Sequence, residues 1–195
     1  MRDTARALRV VGVVLTSLFA VFCILFAAGY AFEDPGGWKG VAIFASMVVP
    51  LVVLTWAARK HPDTALRWVL AGVALLLAYA VAGLFVELLD LPVVPLASLV
   101  LSVPAAVLGL RNARRGGELL LLVVAGPVLS VLVDVLGRSG EGPPLGAALG
   151  GSTGVVVVPL LVFAGVFLLA SVIDSGPRAT DDAPTATRPP AGAAR

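Results

Sequence analysis

Six long apolar runs, nearly free of charged residues, constrain this chain more than any other feature. They cover residues 8–32, 39–57, 68–89, 91–110, 119–137 and 155–173. A helix needs about 20 apolar residues to cross the hydrocarbon core of a membrane. Isolated strands would leave backbone groups unpaired in lipid, and a membrane barrel would alternate apolar with polar residues. The sequence therefore predicts an all-α polytopic membrane protein, a bundle of six transmembrane helices.

The composition excludes most soluble folds. Only 13% of the residues are charged and 59% are hydrophobic, whereas a soluble domain carries charge on roughly a quarter of its residues. The net charge is +2, and the basic residues form short clusters between the apolar runs. We interpret them as topology signals and as contacts for anionic lipid head groups. No basic and aromatic surface suits a nucleic acid strand, so no nucleic-acid partner is expected.

The basic clusters fall in every second connection. They comprise Arg2, Arg6 and Arg9, then Arg59, Lys60 and Arg67, then Arg111, Arg114 and Arg115. By the positive-inside rule these connections face the cytoplasm, and an even number of crossings places both termini there. The three tryptophans, Trp38, Trp56 and Trp68, lie near predicted helix ends, where head groups favour indole rings. The expected location is the cytoplasmic membrane of a bacterium.

Two segments flank or interrupt the predicted helices. Residues 1–174 are expected to form the transmembrane domain, and residues 175–195, rich in Pro, Ala and Thr, are expected to be a disordered cytoplasmic tail. A docking role for this tail is the alternative. The connection from Arg138 to Gly154 predicts an outer loop, with a helix beginning at Ser152 or Thr153. Its glycines at spacing four leave open a half-buried, tightly packed segment. The first run exceeds the usual signal-peptide core and is expected to remain as a helix.

Ionisable residues lie near the predicted helix ends and not at a bilayer midplane. Asp134 and Arg138, four residues apart, can pair on one helix face. The acidic residues of the outer connections could attract cations, or could simply remain where basic residues are excluded; they are Glu33, Asp34, Glu87, Asp90 and Asp134.

His61 is expected to be a solvated loop residue, and Cys23 a small apolar side chain. No sequence signature of catalysis is present. We assign no catalytic, cofactor-binding or metal residue and expect no enzyme.

Proline and small residues suggest two further hypotheses. Four predicted helices contain an internal proline, and the freed carbonyls could line a solute path; these are Pro50, Pro104, Pro127 and Pro159. Few hydroxyls accompany them, and such hydroxyls often bond to their own helix backbone. Small residues four apart, Ala74, Ala78 and Ala82 and then Ala105 and Gly109, predict close helix packing inside the bundle, with a dimer face as the alternative.

The chain combines helices rich in Leu, Val and Ala with the arginine cluster Arg111 to Arg115 and a Pro/Ala/Thr tail. In this composition it resembles small multi-pass membrane proteins of GC-rich bacteria, a resemblance that implies no particular activity. The leading hypothesis is a non-enzymatic membrane scaffold or accessory subunit, working through lipid contact and a protein partner or a homo-oligomer. The alternatives are a permease or channel for a small or apolar solute, and a membrane enzyme using Glu87 or Asp134.

Overall fold

The computed structural model describes residues 2–82, 93–137 and 152–175, and within these ranges the chain consists of α-helices joined by short turns, without a strand. Six helices follow one another within the described ranges. They are α1 (Arg2–Glu33), α2 (Gly37–Lys60), α3 (Pro62–Ala82), α4 (Val93–Gly109), α5 (Ala113–Gly137) and α6 (Ser152–Asp174). The predicted all-α class is confirmed for the described residues, and α6 begins at Ser152, as the sequence suggested.

Five of the described helices, all except α4, are long and apolar enough to cross a membrane, judged by length and composition. The helix α4 has 17 residues, which corresponds to about 25 Å at the rise of an α-helix. Several helices begin earlier or end later than the apolar runs. The reason is that helical hydrogen bonding continues through charged residues, such as Arg59 and Arg114, beyond the apolar part. The predicted C-terminal end of the third helix, up to Leu89, lies outside the described residues.

The helix α4 forms the centre of the bundle. The other helices surround it in the order α1, α2, α3, α5, α6, and α6 closes the ring against α1. Thirteen of the 17 residues of α4 are buried. A helix that is apolar on all sides is stable where neighbours cover every face. The core therefore runs along α4, with Leu99 only 1% exposed.

Short turns hold consecutive helices side by side. Between α1 and α2, Gly36 has a φ of 65°, a left-handed conformation that favours glycine. Between α2 and α3 a single residue, His61, makes the turn, and Pro62 opens α3 at the position where proline is best tolerated. Before α5, the side-chain oxygen of Asn112 accepts a hydrogen bond from the Arg115 backbone N–H at 3.2 Å, an N-cap.

Four helices pack closely around Phe167 of α6, which is fully buried. Glycines of three other helices border its ring or each other, and we call this group the Phe167 cluster: Phe167, Gly12, Gly109 and Gly116. A Cβ atom placed on Gly116 would lie 2.4 Å from the Gly109 Cα, and one on Gly12 would lie 2.9 Å from the Phe167 ring. Any larger side chain at these glycines would collide with atoms already present, so the cluster fixes the spacing of α1, α4, α5 and α6.

The outer surface of the ring is apolar. Large hydrophobic side chains on α1, α2, α3, α5 and α6 are exposed, among them Phe22 at 70% and Leu75 at 72%. The tryptophans Trp38, Trp56 and Trp68 are also exposed, and they lie near helix ends. Monomers in water rarely expose apolar patches larger than a few hundred Å². An apolar core within an equally apolar exterior is the arrangement that lipid accommodates.

Candidate functional site: the basic end of the bundle

The basic clusters of three separate segments meet at one end of the bundle, which we call the basic end. Contacts between side chains and backbone join the start of α1, the α4–α5 turn and the ends of α2 and α6 there. The basic residues of this end whose side chains the structure describes are Arg6, Arg9, Arg59, Lys60, Arg67, Arg111, Arg114 and Arg115. The predicted alternation of basic connections therefore corresponds to a spatial cluster.

The shortest polar contact among the described residues of the basic end joins the first described helix to the last. Arg9 Nη2 donates to Asp174 Oδ2 at 2.5 Å, and the Arg9 side chain is only 18% exposed. A second Arg9 nitrogen, Nη1, lies 3.5 Å from the Leu110 carbonyl oxygen. Asp174 ends α6, where a negative charge opposes the helix dipole. The guanidinium of Arg9 compensates that charge and holds the ends of α1 and α6 together.

Sequence reasoning missed this ion pair. The two residues are 165 positions apart, and no periodicity connects them. A local signal does exist, because Asp174 is a lone carboxylate directly after a long uncharged run. A carboxylate at a helix C-terminus bordering an apolar run needs a cationic partner.

The remaining arginine contacts at the basic end are local or to backbone. Arg111 Nη2 donates to the Arg59 carbonyl oxygen at 2.9 Å, so a basic side chain stabilises the C-terminus of α2. Arg114 Nε pairs with Glu118 one turn later in α5 at 2.8 Å. Both partners of this second pair are at least half exposed; such pairs contribute little to stability.

Two open cavities flank the C-terminal end of α6. One, of about 480 Å³, is lined by Arg6, Arg9, Val10, Leu110 and Asp174. The other, of about 490 Å³, is lined by Arg114, Leu168, Ser171, Val172 and Ser175. Hydroxyl groups in the second cavity donate to carbonyls of their own helix, Ser171 to Leu168 and Ser175 to Ser171. The described lining of the first cavity has two arginines and one carboxylate, whereas that of the second has one arginine, Arg114, which pairs with Glu118.

The hydroxyls that could have lined a solute path are mostly satisfied within their own helices, as the sequence suggested. Those with such a bond are Thr16, Ser46, Ser98, Ser102 and Ser130, with donor–acceptor distances of 2.7 to 3.1 Å. Thr55 is different: its buried hydroxyl oxygen has no hydrogen-bond partner among the described residues. The bundle centre is thus filled by α4, whose Ser98 and Ser102 bond to helical carbonyls.

The four internal prolines lie inside helices that continue on both sides of them. Pro104 and Pro127 are fully buried. A solute path formed by freed carbonyls would need helices that unwind around the proline. The described helices α2, α4, α5 and α6 have no such interruption at Pro50, Pro104, Pro127 or Pro159.

The other candidate residues are dispersed. Glu33 ends α1 at the pole opposite Arg9, and Asp34 follows it in the turn. His61 is exposed in its own turn, with its ring 6.2 Å from that of Trp56. Cys23 is half-buried in α1. Glu87, Asp90, Arg138 and Glu141 lie outside the described residues, as does the side chain of Asp134. In the part of the chain that the structure describes, no three His, Cys, Asp or Glu side chains form a group able to hold a metal ion.

The two small-residue stripes have different environments. Ala105 and Gly109 of α4 are buried against neighbouring helices, so their predicted role in packing the bundle is confirmed. Ala74 and Ala78 of α3 are exposed, so the same prediction is wrong for them. Small residues permit close approach but do not specify which neighbour approaches, because exposed and core-facing positions of these helices are equally apolar.

In comparisons with known proteins, no protein-family model, curated protein or solved structure matches the chain.

Proposed function

We propose that the chain is an integral membrane protein that acts without catalysis, as a scaffold or accessory subunit in a bacterial cytoplasmic membrane. One observation carries this proposal: the axis of the ring is occupied by α4, whose thirteen buried residues are apolar or internally hydrogen-bonded. A bundle with a filled centre and an apolar exterior offers its outer helix faces, rather than an interior site, for interaction. Its partners are then lipids and the transmembrane helices of another subunit or a second copy.

The exposed residues support insertion and orientation. The outer apolar side chains require a hydrocarbon solvent, and the exposed tryptophans near helix ends match the head-group level. The basic end would face the cytoplasm, since positive clusters are retained on that side. This orientation places both termini, and the tail of residues 175–195, in the cytoplasm.

Single-cysteine labelling tests this orientation. Replacing Cys23 with Ala removes the chain's single cysteine, and new cysteines are then introduced at exposed turn positions, as Asp34→Cys and His61→Cys. We expect a membrane-impermeant maleimide to label the Asp34→Cys variant in intact spheroplasts, and the His61→Cys variant only after permeabilisation. The opposite order would reverse the proposed topology. Release of the protein into the soluble fraction by alkaline carbonate would contradict membrane insertion itself.

Assembly is the second property to test, and the exposed face of α3 is where we expect it. Ala78→Leu adds a bulky side chain to the small-residue face of α3, whereas Ala42→Leu makes the same change at an exposed position of α2. Native mass spectrometry of polymer-extracted membrane discs should show a partner or second copy with the wild-type chain. We expect Ala78→Leu to reduce this assembly at least severalfold and Ala42→Leu to preserve it. Isolation of a lone monomer from native membranes would contradict the scaffold function.

A further inference from the structure

The cavity between the start of α1 and the end of α6 combines positive charge with an apolar edge. Its volume is about 480 Å³, within the range of about 300–1,000 Å³ that small-molecule sites occupy. Two arginines, Arg6 and Arg9, contribute to its lining from one face of α1, and Asp174 contributes the one carboxylate among the described lining residues. The described part of the lining therefore carries a net positive charge of one.

The arginines of this cavity retain unused hydrogen-bond donors. Arg9 uses Nη2 for Asp174, and its Nη1 contact to the Leu110 carbonyl is long, at 3.5 Å. The Arg9 Nε is buried and has no hydrogen-bond partner among the described residues. Arg6, unlike Arg9, forms no ion pair within those residues, since their two salt bridges involve Arg9 and Arg114. A buried N–H group of a cation without an acceptor is a place where an anionic oxygen is favoured.

The apolar edge of the cavity continues along the outside of α1. Val10 lines the cavity, and Val14 and Leu18 follow at helical spacing of four on the same face, all exposed. Side chains four residues apart lie above one another on a helix. A molecule whose anionic group enters the cavity could thus lay a hydrocarbon chain along this stripe.

We propose that this cavity binds the phosphate of an anionic phospholipid between Arg6 and Arg9, with an acyl chain along Val10, Val14 and Leu18. A planar guanidinium can donate hydrogen bonds to two phosphate oxygens at once, and a phosphodiester supplies the acceptor that Arg9 Nε lacks among the described residues. The second cavity is a weaker candidate, because its described lining has one arginine, Arg114, which pairs with Glu118, and its serine hydroxyls are bonded internally. The assignment rests on the proposed function, which places the basic end at the inner membrane surface.

The test compares two substitutions that remove the same charge. Arg6→Gln changes a cavity residue outside the Arg9–Asp174 pair, so the contact between α1 and α6 is retained. Arg115→Gln changes an exposed arginine of the same basic end that does not line the cavity. The protein, in neutral detergent, is titrated with phosphatidylglycerol, and lipid-bound species are counted by native mass spectrometry. We expect Arg6→Gln to weaken lipid binding about fivefold, the contribution of one basic residue near an anionic surface, and Arg115→Gln to leave it unchanged.

Further titrations identify the source of the phosphate. Inorganic phosphate and glycerol phosphate are titrated over the same range, and phosphatidylcholine serves as the zwitterionic lipid. Preferential binding of phosphatidylglycerol supports the assignment. Equal binding of the soluble phosphates would overturn the lipid assignment in favour of a soluble anion. Equal losses of lipid binding in Arg6→Gln and Arg115→Gln would also overturn it, because the lipid would then bind through the general positive charge of the basic end. Carbonate extraction of the same variants reports membrane insertion separately, so failure of the lipid site is distinct from failure of the proposed function.

Discussion

Replacing Gly116 with Ala should destabilise the bundle by about 2–3 kcal/mol, the upper part of the range for overpacking a core. The added Cβ would lie 2.4 Å from the Gly109 Cα and 3.0 Å from the Gly109 nitrogen. Both of these atoms belong to the backbone, so no side-chain rotation can relieve the collision. The helices α4 and α5 would have to separate, and the Phe167 ring beside Gly109 would lose its close packing.

Gly165→Ala is the matched control for this prediction. Gly165 also lies in a helix, but a Cβ placed there has no neighbouring atom within 4 Å. Replacing glycine with alanine inside a helix stabilises it by roughly 0.5–1 kcal/mol where space permits. GFP fusions in detergent are heated, and size-exclusion chromatography then measures how much folded protein remains. We expect the midpoint temperature of unfolding to be roughly 4–12 °C lower for Gly116→Ala than for the wild-type chain. Equal midpoints for the two variants would show that α4 and α5 do not approach at Gly116.

The sequence predicted the helices well and their arrangement poorly, because the exposed faces of these helices are as apolar as the buried ones. In water, an amphipathic pattern identifies the face of a helix that packs inward. Here the buried Leu99 of α4 and the exposed Leu75 of α3 both belong to uniformly apolar runs. When the exterior of a bundle is as apolar as its core, hydropathy does not distinguish buried from exposed positions. The central position of α4 therefore could not be predicted from hydropathy.

Small residues and charged residues predicted part of the helix arrangement. The exposed Ala78 and the buried Gly109 gave the same small-residue signal but have opposite environments. The alternation of basic clusters predicted which connections share one end of the bundle, because like-charged clusters stay on one side of a membrane. It did not predict that Arg9 would bind Asp174, since that contact depends on α1 and α6 closing the ring.

Truncating a leucine at the centre of the bundle should cost far more than the same change on its exterior. Leu99→Ala removes a side chain that is 1% exposed and enclosed by the ring of helices. The remaining cavity should destabilise the fold by about 2–4 kcal/mol, because packing contacts are lost that lipid cannot replace inside the ring. Leu75, which is 72% exposed on α3, loses few contacts within the bundle, so Leu75→Ala should leave the free energy of unfolding within about 0.5 kcal/mol of the wild-type value.

The same heating experiment measures both leucine variants, and comparable losses would mean that α4 is not enclosed. The comparison also separates folding from assembly. Leu75 is exposed on α3, as is Ala78, where we expect a partner helix to contact the bundle. If that expectation is right, Leu75→Ala leaves the midpoint of the isolated bundle unchanged but weakens the assembly seen in native membrane discs. An outer residue that affects assembly and not folding is what distinguishes an interaction face from a face that contacts lipid alone.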